Sequence, residues 1–142
     1  QCEIGSASSM KTLLISLLLF SASALPWKGR FVCDDQSANL VLDLYEENVN
    51  VPGMDILGPM NGYLNGAGIY GTWMVTSFQI KDGTHATMRL SNDLGSEAQA
   101  VELIIQGDSL LEFHQVKGAV IKRVEGKKLV KIPAELVFRR QE

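Results

Sequence analysis

The chain has 142 residues, 46% of them hydrophobic and 20% charged, with a formal net charge of −3. That length fits one domain. The acidic balance, and basic runs no longer than Lys127-Lys128 and Arg139-Arg140, offer no electrostatic footprint for phosphate and set nucleic acid aside as a partner.

Met10-Lys11, the leucine-dominated run from Thr12 to Phe20 and then Ala22-Ser23-Ala24 follow the order of a secretory leader: positive start, apolar core, small-x-small cleavage site. The run is shorter than the ~20 residues a membrane span needs, so the mature chain is expected to begin near Leu25 without a transmembrane segment. The residues before Met10 do not fit a leader and read as an over-extension. The expectation is a leader region over 1–24, a single β-barrel domain over 25–142, and a secreted or periplasmic protein. Processing removes Cys2 and leaves Cys33, without a partner for an intramolecular disulfide. Cys33 is then expected as a buried apolar filler, with a free thiol or an intermolecular link as alternatives.

After the leader, Arg30 to Cys33 and Asn39 to Glu46 form a candidate hairpin; Leu40, Leu42 and Leu44 share one face of the second strand. Between Asn48 and Gly71 the pattern breaks into a Gly, Asn and Pro-rich segment holding Met54, Ile56, Leu57, Met60, Tyr63, Leu64, Ile69 and Tyr70. That is more apolar surface than a free linker carries. It reads either as a plug over one end of the sheet or as a lid or partner-binding loop. Thr72 to Ile80 is the next strand, with Trp73 and Val75 on one parity and Met74, Phe78 and Ile80 on the other. A β-bulge near Thr76 or Ser77 would turn both apolar sets inward.

Thr84 to Ser91 alternates most cleanly, Ala86, Met88 and Leu90 against His85, Thr87 and Arg89, the mark of a sheet with one buried face. Glu97 to Gln106, Ser109 to Val116 and Ala119 to Glu125 follow, and Val130 to Phe138 closes the series with Pro133 inside it. Proline cannot donate to a ladder, so this last strand is expected at an edge or with a bulge. The count is about eight, at which a closed sheet is filled by side chains or just able to hold one small ligand. The fold class is therefore all-β, an antiparallel meander closing into a small barrel or strongly bent sheet.

Register constrains the turns, because a one-residue slip exchanges the faces. A three-residue loop Lys81-Asp82-Gly83 sets Phe78 opposite Ala86 and puts Gly83 at a left-handed position. A three-residue loop in place of a two-residue Gly107-Asp108 turn likewise sets Leu103 opposite Leu111 or Phe113.

No motif names a chemistry. His85 and His114 lie on different strands without the ligand spacing of a metal site, and no cofactor is implied. Ser109, Glu112 and His114 could be drawn as a hydrolytic group, but any polar strand face offers such neighbours, and the chain is not expected to be an enzyme. What remains is an inner face built from Leu40, Leu42, Leu44, Phe78, Ile80, Ala86, Met88, Leu90, Val101, Leu103, Ile105, Leu111, Phe113, Val130, Ile132, Leu136 and Phe138, which would suit an apolar ligand or be simply a core.

Gly71-Thr72-Trp73 entering a strand, the meander after it and Arg139 in the final strand resemble the lipocalin or calycin pattern over Tyr70 to Arg140. In that family the Trp closes one barrel end and a terminal Arg packs across it. Phe31-Val32-Cys33-Asp34-Asp35 followed by Asn39 to Tyr45 is similar to the opening of periplasmic C-type lysozyme inhibitors, which implies an inhibitor that inserts loops into an enzyme cleft. The first functional expectation is a secreted, non-catalytic carrier of a small apolar ligand, contacted by Tyr70, Trp73, Met88 and Phe113. The alternative is a protein-interaction or inhibitor module using the 54–70 loop, with Met54, Ile56, Met60 and Tyr63 in contact with a protein partner.

Overall fold

In the computed structural model, residues 25–141 are described, and the leader region expected over 1–24 lies outside them. Ten strands form: β1 Lys28–Cys33, β2 Ala38–Asp43, β3 Gly62–Gly66, β4 Trp73–Ile80, β5 His85–Asn92, β6 Ala98–Gln106, β7 Leu110–Gly118, β8 Lys122–Glu125, β9 Lys128–Lys131 and β10 Glu135–Gln141. Eight close an antiparallel barrel in the order β1-β10-β7-β6-β5-β4-β3-β2, while β8 and β9 make a separate hairpin. The described residues hold no α-helix, only 3-10 turns at Asp34–Gln36 and Asp55–Leu57.

Period-two alternation builds the wall. In β5 Ala86, Met88 and Leu90 are buried while His85 and Arg89 are exposed. In β6 Val101, Leu103 and Ile105 point inward in the same way. Trp27, Trp73, Phe31, Phe113 and Phe138 are the largest side chains fully enclosed, and the Phe113 and Phe138 rings meet at 5.6 Å and 55°. Each such side chain contributes roughly 1.5–3 kcal/mol by leaving water. Cys33 is buried and, among the described residues, has no disulfide partner, which fits an apolar filler.

Eight barrel strands were expected and eight are found, but their membership differs. Gly62–Gly66, inside the Gly and Asn-rich segment, enters the barrel as β3 by pairing with β2 from Leu42↔Gly62 to Ala38↔Gly66. The run Ala119 to Glu125 does not enter it; its second half pairs with β9. Pro133 does not mark an edge or bulge within one strand. It separates β9 from β10, since a residue without an N–H cannot carry the ladder through.

The bulge falls between Val75 and Ser77. Trp73 and Val75 before it and Phe78 and Ile80 after it therefore share the inner face, opposite Asn92, Leu90, Met88 and Ala86. The β4–β5 register corrects the expectation: Phe78 pairs with Met88, not Ala86. The turn lies two positions further along the sum of partners, because Lys81 and Asp82 both donate to the carbonyl of His85 while Asp82 Oδ1 accepts the Thr84 and His85 N–H groups at 2.8 Å each. Gly83 is accordingly not left-handed; it is missing from the glycines with positive φ. The β6–β7 turn follows the expected three-residue loop, with Leu103 opposite Phe113 and Gly107 at φ 64. Two members of the inner-face list are not enclosed: Phe78 is 38% and Val130 39% exposed.

The two barrel ends are closed differently. At one, the β8–β9 hairpin folds over the mouth: Tyr70 N donates to Lys122 O, Val124 N to Gly68 O, and Ile121 and Ile132 are buried beneath it. At the other, Trp27 Nε1 donates to Asp82 O at 3.0 Å, joining the start of β1 to the β4–β5 turn. Arg140 lies over the Phe31 ring at 4.6 Å and donates to the carbonyls of Pro26, Lys28 and Asp108. Among the described residues no helix is long and apolar enough to cross a membrane.

Candidate functional site

Three regions could act on something outside the chain: the barrel interior, a rim groove at the hairpin end, and the Trp27 end with the loop from Leu44 to Asn61.

In the interior, Trp73, Met88 and Phe113 are 1%, 2% and 0% exposed, packed among the other enclosed aromatic and leucine side chains. Tyr70 sits at the rim, its carbonyl accepting from Asn92 Nδ2 at 2.9 Å. Two polar atoms here have no hydrogen-bond partner among the described residues, the Trp73 indole Nε1 and Gln99 Oε1. The other half of the Gln99 amide is well used: Nε2 donates to Gln115 Oε1 at 2.9 Å and Ala119 O at 2.6 Å. Those bonds fasten the hairpin end. Neither residue stood out in the sequence, where Gln99 read as a polar member of the Glu97 to Gln106 strand and Asn92 as the first residue of the turn after Ser91.

The rim groove encloses about 490 Å³ between the β3–β4 and β5–β6 turns, with Asn39, Asn65, Thr72, Asp93 and Leu94 among its walls. It is open and mostly polar. Gly71 lies there at φ +78, and a Cβ would stand 2.3 Å from Asn92 Oδ1, so only glycine fits this corner.

The Leu44 to Asn61 loop is anchored at its base. Asp43 is 3% exposed, its Oδ1 accepting from Tyr45 N and Glu46 N, and Asn61 Nδ2 donates to Asp43 O at 3.0 Å. Val49 and Met60 exchange backbone hydrogen bonds at 2.9 and 2.8 Å, and Val51 is buried. Beyond this anchor the chain turns through Asp55–Leu57, leaving Ile56 95% exposed and Leu57 52% exposed. Met54 and Met60 are half-buried, and Tyr63 is enclosed within β3. The segment is thus part wall, part anchored loop and part presented apolar tip, where the sequence alone allowed a plug or a lid.

Next to this loop the wall is incomplete. β3 and β4 pair only at Tyr63↔Met74 and Leu64↔Trp73, so β4 from Val75 to Ile80 is bonded to β5 alone among the described residues. Phe78 faces inward by register yet remains exposed, and among the described residues no strand pairs with β4 beside it on that side.

No protein-family model matches this chain, nor does any curated protein or solved structure.

The closed all-antiparallel barrel is compatible with a calycin-like fold. The residues that resemblance singled out are not the ones that close the end, however. Arg139 pairs with Asp34 at 2.7 Å on the surface, and Trp73 lies at the hairpin end; Trp27 and Arg140 perform the closure instead. The sequence held a signal for this in Trp27-Lys28-Gly29 entering the first strand and in the second arginine of Arg139-Arg140.

His114 lies between two carboxylates, Nε2 2.9 Å from Glu112 Oε1 and Nδ1 3.3 Å from Glu135 Oε2. The hydrogen bond that Glu112 accepts from the ring, ahead of the one Glu135 accepts, raises its pKa above 6.5. With both ring nitrogens engaged, none is left to accept a proton from the Ser109 hydroxyl, and the triad drawn from the sequence does not assemble. Asp82 is held at about 2 by hydrogen bonds from Thr84 and then His85, a turn-stabilising arrangement. Among the described residues no group of three His, Cys, Asp or Glu side chains could hold a metal ion.

Proposed function

We propose that the protein is a non-catalytic protein-interaction module that presents the Met54–Met60 tip to a partner. The observation that carries this reading is Ile56, 95% exposed on a loop whose base is pinned by Asp43, Asn61 and the Val49–Met60 bridge. A lone exposed aliphatic is ordinary. Here it stands beside exposed Leu57 on a short turn carried by a rigid barrel, the arrangement in which a partner pocket gains affinity without ordering a floppy loop. The leader-like order of residues 10–24 supports an exported protein.

A photo-crosslinking residue at position 57, with one at the exposed Val137 as control, tests the reading in the secreted fraction of the source. A discrete adduct from position 57 alone, lost on Ile56→Asp, is expected. Equal adducts from both positions, or none from 57, overturn it.

A second reading, a small apolar ligand in the interior, is favoured by the unpaired Trp73 Nε1 and Gln99 Oε1: a ligand with one acceptor and one donor would satisfy both. Tyr70, Met88 and Phe113 would then line it. Native mass spectrometry of protein purified from its source separates the readings, since a retained small molecule supports the carrier and a clean chain mass opposes it.

A further inference from the structure

The described residues leave several strand edges unpaired, β10 from Glu135 to Phe138 among them, and the edges of β9 and β4 differ most in chemistry. The outer edge of β9 carries Lys128 and Lys131, with Lys127 in the turn before it. Lysines on an edge keep other strands away, because each would have to be desolvated beside an incoming chain. The β4 edge has no such guard. From Trp73 to Ile80 there is no charged residue and no proline, and Thr76, Ser77, Phe78 and Gln79 are all exposed. An uncharged run of β-branched and aromatic residues with free main-chain groups is a template for one more strand.

We propose that the free edge of β4, from Thr76 to Ile80, binds an extended peptide segment of another protein, laid antiparallel to β4 in the gap beside β3. β3 stays next to β4 only as far as Tyr63↔Met74, so the space toward the Trp27 end is bounded by β4 on one side and by β3 and its preceding loop on the other. All barrel pairings are antiparallel, and that geometry suits β4. Phe78 and Ile80 share the inner face, so alternate apolar side chains of the peptide would cover them. Lys81, exposed just past β4, would face an acidic residue at the start of the peptide. The partner chemistry is thus an acidic residue followed by five uncharged residues with apolar side chains at every second position. This deepens the reading of the chain as a protein-binding module but rests on a surface other than the Ile56 tip.

The probe is a blocked synthetic hexapeptide, glutamate followed by alternating valine and threonine, at about 1 mM, the range in which a short strand addition registers. Amide hydrogen exchange is read along the whole chain. The expected result is exchange slowed at least ~10-fold within Thr76–Ile80, unchanged in β5 to β7, retained in Ile56→Asp and lost in Phe78→Lys. The same peptide N-methylated at alternate positions leaves the protein untouched and should lose the effect when methylated on the edge-facing positions, so the test does not depend on the variant folding. No slowing with the unmodified peptide, equal slowing with both methylated forms, or slowing that instead follows protein concentration without peptide, the sign of a second copy, overturns the proposal. Loss of the adduct reading at position 57 with the peptide effect intact would remove the tip and leave the edge.

Discussion

The wall from β5 to β7 and the seam between β3 and β4 are built from similar residues and end up with opposite properties. In the wall, β5 and β6 pair continuously from His85↔Ile104 to Ser91↔Ala98, and their inward side chains, from Ala86, Met88 and Leu90 to Val101, Leu103 and Ile105, are all enclosed. At the seam two residue pairs hold the strands together, and an inward phenylalanine stays wet. Apolar pattern therefore determines which face a side chain takes, but only a neighbouring strand determines whether that face is dry.

The sharpest way to break the contrast is to cut the same kind of contact on each side of it. Phe113→Ala, in the wall, is expected to cost about 3–5 kcal/mol in urea denaturation through the cavity it leaves. Ile80→Ala, at the seam, should cost about 1 kcal/mol, because its side chain is already partly in water. Equal losses would show that the seam is closed in solution. Arg140→Ala removes a ring contact and three carbonyl partners and should cost about 1–3 kcal/mol. Arg140→Lys should restore little of it, since an ammonium cannot reproduce the planar fork. In native-state hydrogen exchange without any ligand, edge amides of Thr76–Ile80 should exchange about 100-fold faster than those of Leu103 and Phe113, because among the described residues they have no carbonyl partner and need no opening of the wall.

The smallest effect concerns His114. Its folded pKa lies above 6.5, so its contribution is complete below the unfolded value and fades as pH rises through the folded one. Stability should fall as pH rises above about 6.5, by less than ~1 kcal/mol in all, the partners being partly exposed. His114→Gln should flatten that slope; an unchanged slope would place the titration elsewhere.

Much of the barrel was legible in the chain. Leu40, Leu42 and Leu44, then Ala86, Met88 and Leu90, announced their strands by parity alone, and the phase change after Val75 announced the bulge. β3 was not legible, since Gly62-Tyr63-Leu64-Asn65-Gly66 has turn dipeptides at both ends and too few residues for alternation to register; its place is dictated by β2. The β4–β5 turn was missed by two positions in the pairing because the Asp82 carboxylate, not a left-handed glycine, organises it. Of the candidate site, the sequence pointed to the Met54–Met60 apolar run but not to which members are presented. That Ile56 faces water while Val51 and Tyr63 do not follows from where the anchor falls.

Local chemistry by itself determined the all-β class, the inner and outer faces and the need for a bulge, because side-chain parity acts over one or two residues and asks nothing of the rest of the chain. Tertiary structure decided which arginine locks the first strand, that β8 and β9 leave the barrel to cover its mouth, and that β4 keeps a bare edge. Those outcomes depend on which distant segments meet when the sheet curls shut, a matter of closure geometry that no short window of residues contains.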